Sequence, residues 1–407
     1  SGSISGGSVG IYVTNSTLTG GITNSGSISG GSSGIYVNQS SLTGGINNSG
    51  SISGGWSGIY AYQSALTGGI NNSGLISGGQ YGIYASSSTL EGGITNSGSI
   101  SGGWSGIYAS RSTLTGGIDN SGTISGKTGI YLKSGSSLSG GITNVGLIAG
   151  TSIAGIYLNA SALDSGIDNS GTISGGQYGI YVNSGSTLAG GITNSGSISG
   201  SVVVVYLRHS TLSGGITNLG SISGGRYGIA AMHQSTLEGG INNSGSISGS
   251  SAGIGFASNS NLTGGINNSG TISGGGDGIV ALGSTLTGGI TNSGTISGGK
   301  NGIGAFQSTL TGGITNSGSI SGGIDGISVY ASNLSDGITN SVNGTISGGE
   351  DGLAIKSGST LSGGIHNSGS IIATAINGKA IVLSTSELNG GITNSGTISG
   401  GVWGIVA

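Results

Sequence analysis

Apolar residues in this chain fall at alternate positions in short runs, and the runs return at an almost fixed interval. From Ser16 to Gly30 the even positions read Ser, Leu, Gly, Ile, Asn, Gly, Ile, Gly, while the odd ones are mainly Thr, Ser and Gly. A period of two sends one set of side chains inward and the other to solvent, which is strand behaviour. A second run, Gly10–Val13 (GIYV), places Ile11 and Val13 inward and Tyr12 outward. The stretch Leu18–Ile28, LTGGITNSGSI, occurs in sixteen copies, each keeping the Leu, both Ile, the Asn, and the equivalents of Gly21 and Gly26. Its closing Ile begins at Ile4 and recurs at Ile28, Ile52 and Ile76, 24 residues apart, with later spacings of 24 to 27.

Self-similarity at such a period marks a solenoid. Each copy offers inward apolar side chains at the positions of Ile4, Ile11, Val13, Leu18 and Ile22. So few cannot offset the entropy of ordering a whole copy, so copies must stack, with backbone hydrogen bonds running from each coil to the next. The fold expected is all-β: a single-stranded parallel β-helix (β-solenoid) with three short strands and 24–25 residues per coil. It runs as one continuous solenoid of about 16–17 coils over residues 1–407. Stacked at the ~4.8 Å spacing of neighbouring strands, these coils make a rod. The chain opens on SGSISGG and closes on VWGIVA, both inside a copy, so a segment of a longer protein is expected.

Composition removes the competing readings. Gly is 98 of 407 residues, but there is no Pro and no three-residue Gly period, so collagen is excluded. Helix is excluded by the same Gly density. The apolar 33% sits at fixed positions, unlike a disordered chain. Lys and Arg number 8 and Asp and Glu 11, a net charge of −3, which argues against nucleic acid and anionic membrane as partners. Without Cys there is neither a disulfide framework nor a thiolate metal site, and no apolar run is long enough to span a membrane as a helix. No cofactor is indicated.

The recurring polar positions read as structure. Asn24, Asn48, Asn72, Asn96 and Asn120 begin a column present in every copy, and stacked amides can donate and accept as a ladder. The column of Ser16, Ser40 and Ser64 is expected to stack through its hydroxyls in the same way. Gly21 and Gly26 recur where turns need positive φ or close backbone approach.

GGITNSGSISGG and its variants, GGIDNSGTISG and GGINNSGTISGG, resemble the Gly/Ser/Asn-rich repeats in passenger regions of bacterial autotransporters, and the resemblance covers the whole chain. It implies a right-handed parallel β-helix, exported through the cell envelope and displayed at the bacterial surface, often for adhesion or aggregation. A secreted solenoid using another route, or a subunit of a head-to-tail surface filament, fits the same repeats.

Differences between copies point to the surfaces that carry function. Tyr12, Tyr36, Tyr60, Tyr84, Tyr108, Tyr131, Tyr157, Tyr181 and Tyr206 fill one outward column, which then turns to Ala230, Gly255, Val280 and Gly304. Trp56 and Trp104 lie on a variable turn beside it. Aromatic rings in a row suit contact with another rod, a partner surface or sugar rings. Asp325, Asp351 and neighbouring Glu350 are the weak candidates for a cation site. His209, His233 and His366 occupy different places in their copies and are expected to form no cluster. The calcium nonapeptide is absent, and the Thr-x-Thr pairs are too irregular for an ice-binding face. The reading that results is a non-enzymatic extracellular rod making self-contacts or cell-surface and glycan contacts. The alternative is a carbohydrate-binding or carbohydrate-active β-helix using the aromatic edge.

Overall fold

The computed structural model describes residues 2–407, which form a parallel β-solenoid with no helix. The coils fall into two compact units. One runs to Ser201 and includes Ser210–Leu212, and the other comprises Val202–His209 and Ser213–Ala407. Within each unit every complete coil repeats the strands seen in the first: β1 (Ser3–Gly6), β2 (Val9–Thr14), β3 (Thr17–Leu18) and β4 (Ile22–Asn24). Strands of one kind stack in parallel register, so that Ile4 pairs with Ile28, Tyr12 with Tyr36, Leu18 with Leu42 and Asn24 with Asn48. Among the described residues no helix is long and apolar enough to cross a membrane.

A coil thus carries four strands, where alternation alone suggests three. The extra corner is Gly21, whose φ of +68° turns the chain between Leu18 and Ile22 while leaving both side chains inward. Gly26 answers to the other requirement. A Cβ there would overlap the carbonyl oxygen of Gly2 in the coil below. A further corner follows β2, where Asn15, Gln39, Gln63, Ser87 and Arg111 adopt φ near +50° without being Gly.

Inside, most core columns are of one residue type, while the second inward β2 position is mixed, with Val37, Ala61, Leu132 and Phe256 among its members. Ile28, Ile52 and Ile76 from β1, Ile35 and Ile59 from β2, Leu42 and Leu66 from β3, and Ile46 and Ile70 from β4 are all buried. In the uniform columns identical side chains stack coil after coil, which gives a dense interior.

The Asn ladder is built as expected. Asn24 Nδ2 donates to Asn48 Oδ1 at 2.7 Å, and Asn48, Asn72 and Asn96 each donate to the next Asn at 2.8 Å. Asn48 Nδ2 also reaches the Gly50 and Leu75 carbonyls, so the buried amide is fully occupied. The same ladder runs through the second unit, from Asn218 to Asn243 to Asn268 and onward. A second, exposed rung forms wherever two successive coils carry Asn one position earlier, at Asn71–Asn47 and Asn267–Asn242, both 2.9 Å.

The Ser column works differently from the hydroxyl chain expected. Ser40 Oγ accepts the backbone N–H of Ser16 in the coil below and donates to the Asn38 carbonyl of its own coil. The left-handed residue just before each Ser turns that N–H away from the regular ladder, and the hydroxyl supplies the missing acceptor.

Candidate functional site

The outer face of the β2 strands is where coils differ, and its geometry starts from a glycine. Gly58 faces the core, where a Cβ would run into Ile76 Cγ2. Residues on either side of the Gly58–Ile59 pair, Ser57 and Tyr60, therefore both belong to the outer face. Each coil presents its first, fourth and sixth β2 residues there, and long side chains at these positions touch. Tyr81 and Tyr84 of one coil lie with ring centroids 4.9 Å apart.

In the first unit the fourth position is Tyr in every coil, and the rings stack. Tyr12–Tyr36, Tyr36–Tyr60 and Tyr60–Tyr84 have centroid separations of 5.1, 4.7 and 4.8 Å and interplanar angles of 22°, 6° and 2°. Tyr131–Tyr157 and Tyr157–Tyr181 continue at 4.6 and 4.8 Å, with angles of 2° and 11°. Between these two stacks Tyr108 is turned, at 65° to Tyr84 and 81° to Tyr131. Stacking covers most of each ring, so Tyr12 is 53% exposed at one end while Tyr181 is 9% exposed. Tyr hydroxyls are tied by the sixth-position residue of the following coil: Asn38 Nδ2 donates to Tyr12, Asn159 to Tyr131 and Asn183 to Tyr157. Burial pushes the phenols of Tyr36, Tyr60, Tyr81 and Tyr108 up from their ordinary value, and neighbouring phenols add to the shift.

The two tryptophans are not equivalent. Trp56 is half-buried and packs edge-on against Tyr60, Tyr81 and Tyr84, its Nε1 donating to Gln80 Oε1 at 2.9 Å. Trp104 is 52% exposed, with the Lys127 ammonium 4.4 Å from its ring centroid. Beside Trp104 a notch of about 320 Å³ opens, lined by Tyr81, Tyr108, Tyr131, Lys133, Ile153 and Tyr157 among others.

In the second unit the same face is organised by polar groups. Tyr206 stands in register with Ala230, and small residues follow at the fourth position: Gly255, Val280, Gly304, Ser328 and Ala354. Longer neighbours fold over them. A Cβ on Gly255 would meet the Tyr227 ring, and one on Gly304 would meet Phe306. At the first position Asp277, Asn301, Asp325, Asp351 and Lys379 stack in register. Asn301 Nδ2 donates to Asp277 Oδ1 at 2.6 Å, and Lys356 Nζ donates to Asp351 Oδ2 at 2.7 Å across the small Ala354. Asp325 and Asp351 are 6% and 2% exposed, and each leaves Oδ1 without a hydrogen bond. Burial raises the Asp277 and Asp325 carboxyls above the usual carboxylate range. Burial opposes the charge on Lys356, but its hydrogen bond to Asp351 and the field of Asp325, Asp351 and Glu350 outweigh that and raise its pKa.

The weak cation candidates are thus brought together only in part. Asp325 and Asp351 are neighbours, Glu350 is exposed, and the nearest positive charges are Lys356 and Lys379. Among the described residues no group of three His, Asp or Glu is placed to hold a metal. The histidines need a correction. His209 and His233 sit in adjacent coils of the second unit with ring centroids 5.4 Å apart. They lie 24 residues apart and each directly follows its β2 strand, Arg208 pairing with Met232, so both open the same corner; the additional residue of the second coil, Gln234, comes after His233.

No family model matches the chain, and no curated protein or solved structure is significantly similar to it.

Proposed function

We propose that the protein is a non-enzymatic structural and adhesive solenoid, displayed outside a bacterial cell in the manner of an autotransporter passenger. Its contact surface is the outer face of the β2 strands in the first unit. The observation that carries this reading is the Tyr column: eight rings from Tyr12 to Tyr181 on one sheet face, fixed by stacking and by Asn side chains. Such a face presents apolar area already ordered before a partner arrives, which lowers the entropic cost of binding. The lack of Cys and the low charge suit export and lateral association, and on the second unit's face Asp277 and Asp351 are already held by Asn301 and Lys356.

Adhesion by bacteria displaying the chain, or pelleting of the purified chain with a second copy, tests it. The triple variant Tyr36→Ser, Tyr60→Ser, Tyr84→Ser should keep a β-sheet circular dichroism spectrum, lose roughly 1 kcal/mol of stability per stacked pair, and lose adhesion or pelleting. A folded triple variant that adheres and pellets as the parent does would overturn the reading.

A further inference from the structure

The break in the Tyr column has a structural cause that also creates a cavity. In most first-unit coils two residues separate β1 from β2, as Gly103 and Trp104 do. In the next coil only Lys127 separates Thr123–Gly126 from Thr128–Lys133. Accordingly Ser57 pairs with Tyr81, 24 residues on, whereas Ser105 pairs with Thr128, one residue sooner. The following turn makes up the loss, with Thr151, Ser152 and Ile153 between Leu147–Gly150 and Ala154–Asn159. A short turn between two longer ones leaves an indentation at the edge of the aromatic face. Tyr108 turns its ring there, and the notch of about 320 Å³ opens between Trp104, Tyr108, Tyr131 and Ile153.

Charge makes the notch distinct as well. The first unit carries three cations, Arg111, Lys127 and Lys133, against four carboxylates, and all three cations lie on these two coils. Lys127 is held over the Trp104 ring, which fixes the indole. Arg111 lies close enough to Tyr108 to favour its phenolate. Lys133 takes the place that Asn38 and Asn159 hold in their coils, beside the Tyr hydroxyl of the coil before, and lines the notch. Among the described residues it has no carboxylate within ion-pair distance.

We propose that this notch binds a carboxylate-bearing pyranose, one unit of an acidic polysaccharide. Trp104 and the turned Tyr108 take the C–H face of the sugar ring, phenolic hydroxyls meet its hydroxyls, and Lys133 pairs with its carboxylate. The cavity lies at the small end of the ~300–1,000 Å³ range of small-molecule sites, which suits one or two sugar units and not a protein segment. This deepens the contact-surface reading above and rests on it only in using the same face.

Calorimetric titration of the full chain with tetragalacturonate, its methyl ester and neutral maltotetraose tests it. Saturable binding of tetragalacturonate at one site per chain is expected. Trp104→Ala should weaken it roughly tenfold, as loss of an aromatic platform does. Lys133→Met and methyl esterification should each weaken it by about fivefold, the effect of one partly exposed ion pair. One Gly inserted after Lys127 restores the two-residue turn and should abolish binding with the circular dichroism unchanged. Trp403→Ala, an exposed Trp that opens the last strand, should have no effect. No saturable heat, equal affinity for the methyl ester, or binding that survives Trp104→Ala overturns the proposal. A Tyr12→Ser, Tyr36→Ser double variant removes rings that stack away from the notch lining and leaves the notch intact, so adhesion lost with tetragalacturonate binding retained separates this site from the broader contact face.

Discussion

Each unit has the same kind of core and the same kind of Asn ladder, and the two differ on the outer face of β2. In the first unit that face is a column of stacked phenols, while in the second it is a line of Asp, Asn and Lys side chains beside small residues, Gly255 and Gly304, that Tyr227 and Phe306 cover. The contrast shows how little the solenoid constrains its exterior. Registered stacking demands only that whatever occupies a column tolerate a like neighbour one coil away. Tyr meets that demand by ring overlap and Asn by amides that each donate to the next coil and accept from the one before. A run of carboxylates meets it badly, because like charges one coil apart repel, and the second unit offsets this with Asn301 and Lys356. The proposed contact role therefore falls to the aromatic face, while Asp277 and Asp351 on the other are already paired with Asn301 and Lys356.

If the second unit depends on that neutralisation, Lys356→Met should be the most damaging change on either outer face. It leaves Asp351, 2% exposed, without its 2.7 Å donor, and Lys379 is still 3.9 Å away. Breaking a fully buried pair costs ~3–5 kcal/mol. Since the Lys356 side chain is 34% exposed, a loss of about 2 kcal/mol is expected instead. Urea unfolding measures it, and the double variant Lys356→Met, Asp351→Asn should recover most of the loss. A single variant as stable as the parent would mean that the Asp column carries no buried charge.

How far these faces were legible depends on which interaction sets them. Columns that repeat in every copy announce themselves, so the core, the Asn24 ladder and the outward Tyr12 column follow from alternation and period. The fourth strand does not, because Leu18 and Ile22 stay inward on both sides of the Gly21 corner and parity runs through it unbroken. Left-handed corners at Asn15, Gln39 and Arg111 carry no common residue type, and with them the true role of the Ser column stays hidden. The pairing of His209 with His233 is hidden when places are counted back from the Ser column, because Gln234 separates His233 from Ser235 while His209 directly precedes Ser210. The missing turn residue at Lys127 is present in the sequence. Its consequence, a turned Tyr108 and a notch, emerges only when three coils are stacked.

Asp325→Asn offers a gain of stability on the same polar face. The Asp325 Oδ1 is buried without a hydrogen bond, and burial has raised its carboxyl above the ordinary 3.8. A carboxyl with a raised folded pKa contributes stability when protonated, below its unfolded pKa, and loses that contribution as pH rises through the folded value. At neutral pH the group is therefore a cost. Replacing it with Asn should raise stability by ~1 kcal/mol, the low end for an unpartnered buried acceptor, and would add an amide beside Asn301. The gain should fade as pH falls through the folded pKa toward 3.8, where the parent protonates itself. Thermal unfolding at neutral and acid pH measures both arms, and a gain independent of pH would point to packing and not to charge.

The smallest expected effect lies on the aromatic face and appears in alkali. Tyr36, Tyr60, Tyr81 and Tyr108 all belong to the first unit, and burial, reinforced by neighbouring phenols, lifts each above 10.0. The sign is the same as for Asp325, because both are acids with raised folded values. Their contribution is complete below pH 10 and is lost as pH climbs from 10 through the folded pKa values. Phenolate absorbance should therefore rise in two stages, exposed rings first and stacked rings only at higher pH. The second stage should coincide with loss of β-sheet signal from the first unit. Tyr60→Phe keeps the ring overlap while removing the central phenol, so it should delay that second stage without weakening the fold at neutral pH. A single titration step near pH 10 with the β-sheet signal intact would show that the rings are solvated one by one, and the column would then be an exposed row of side chains and not a preformed surface.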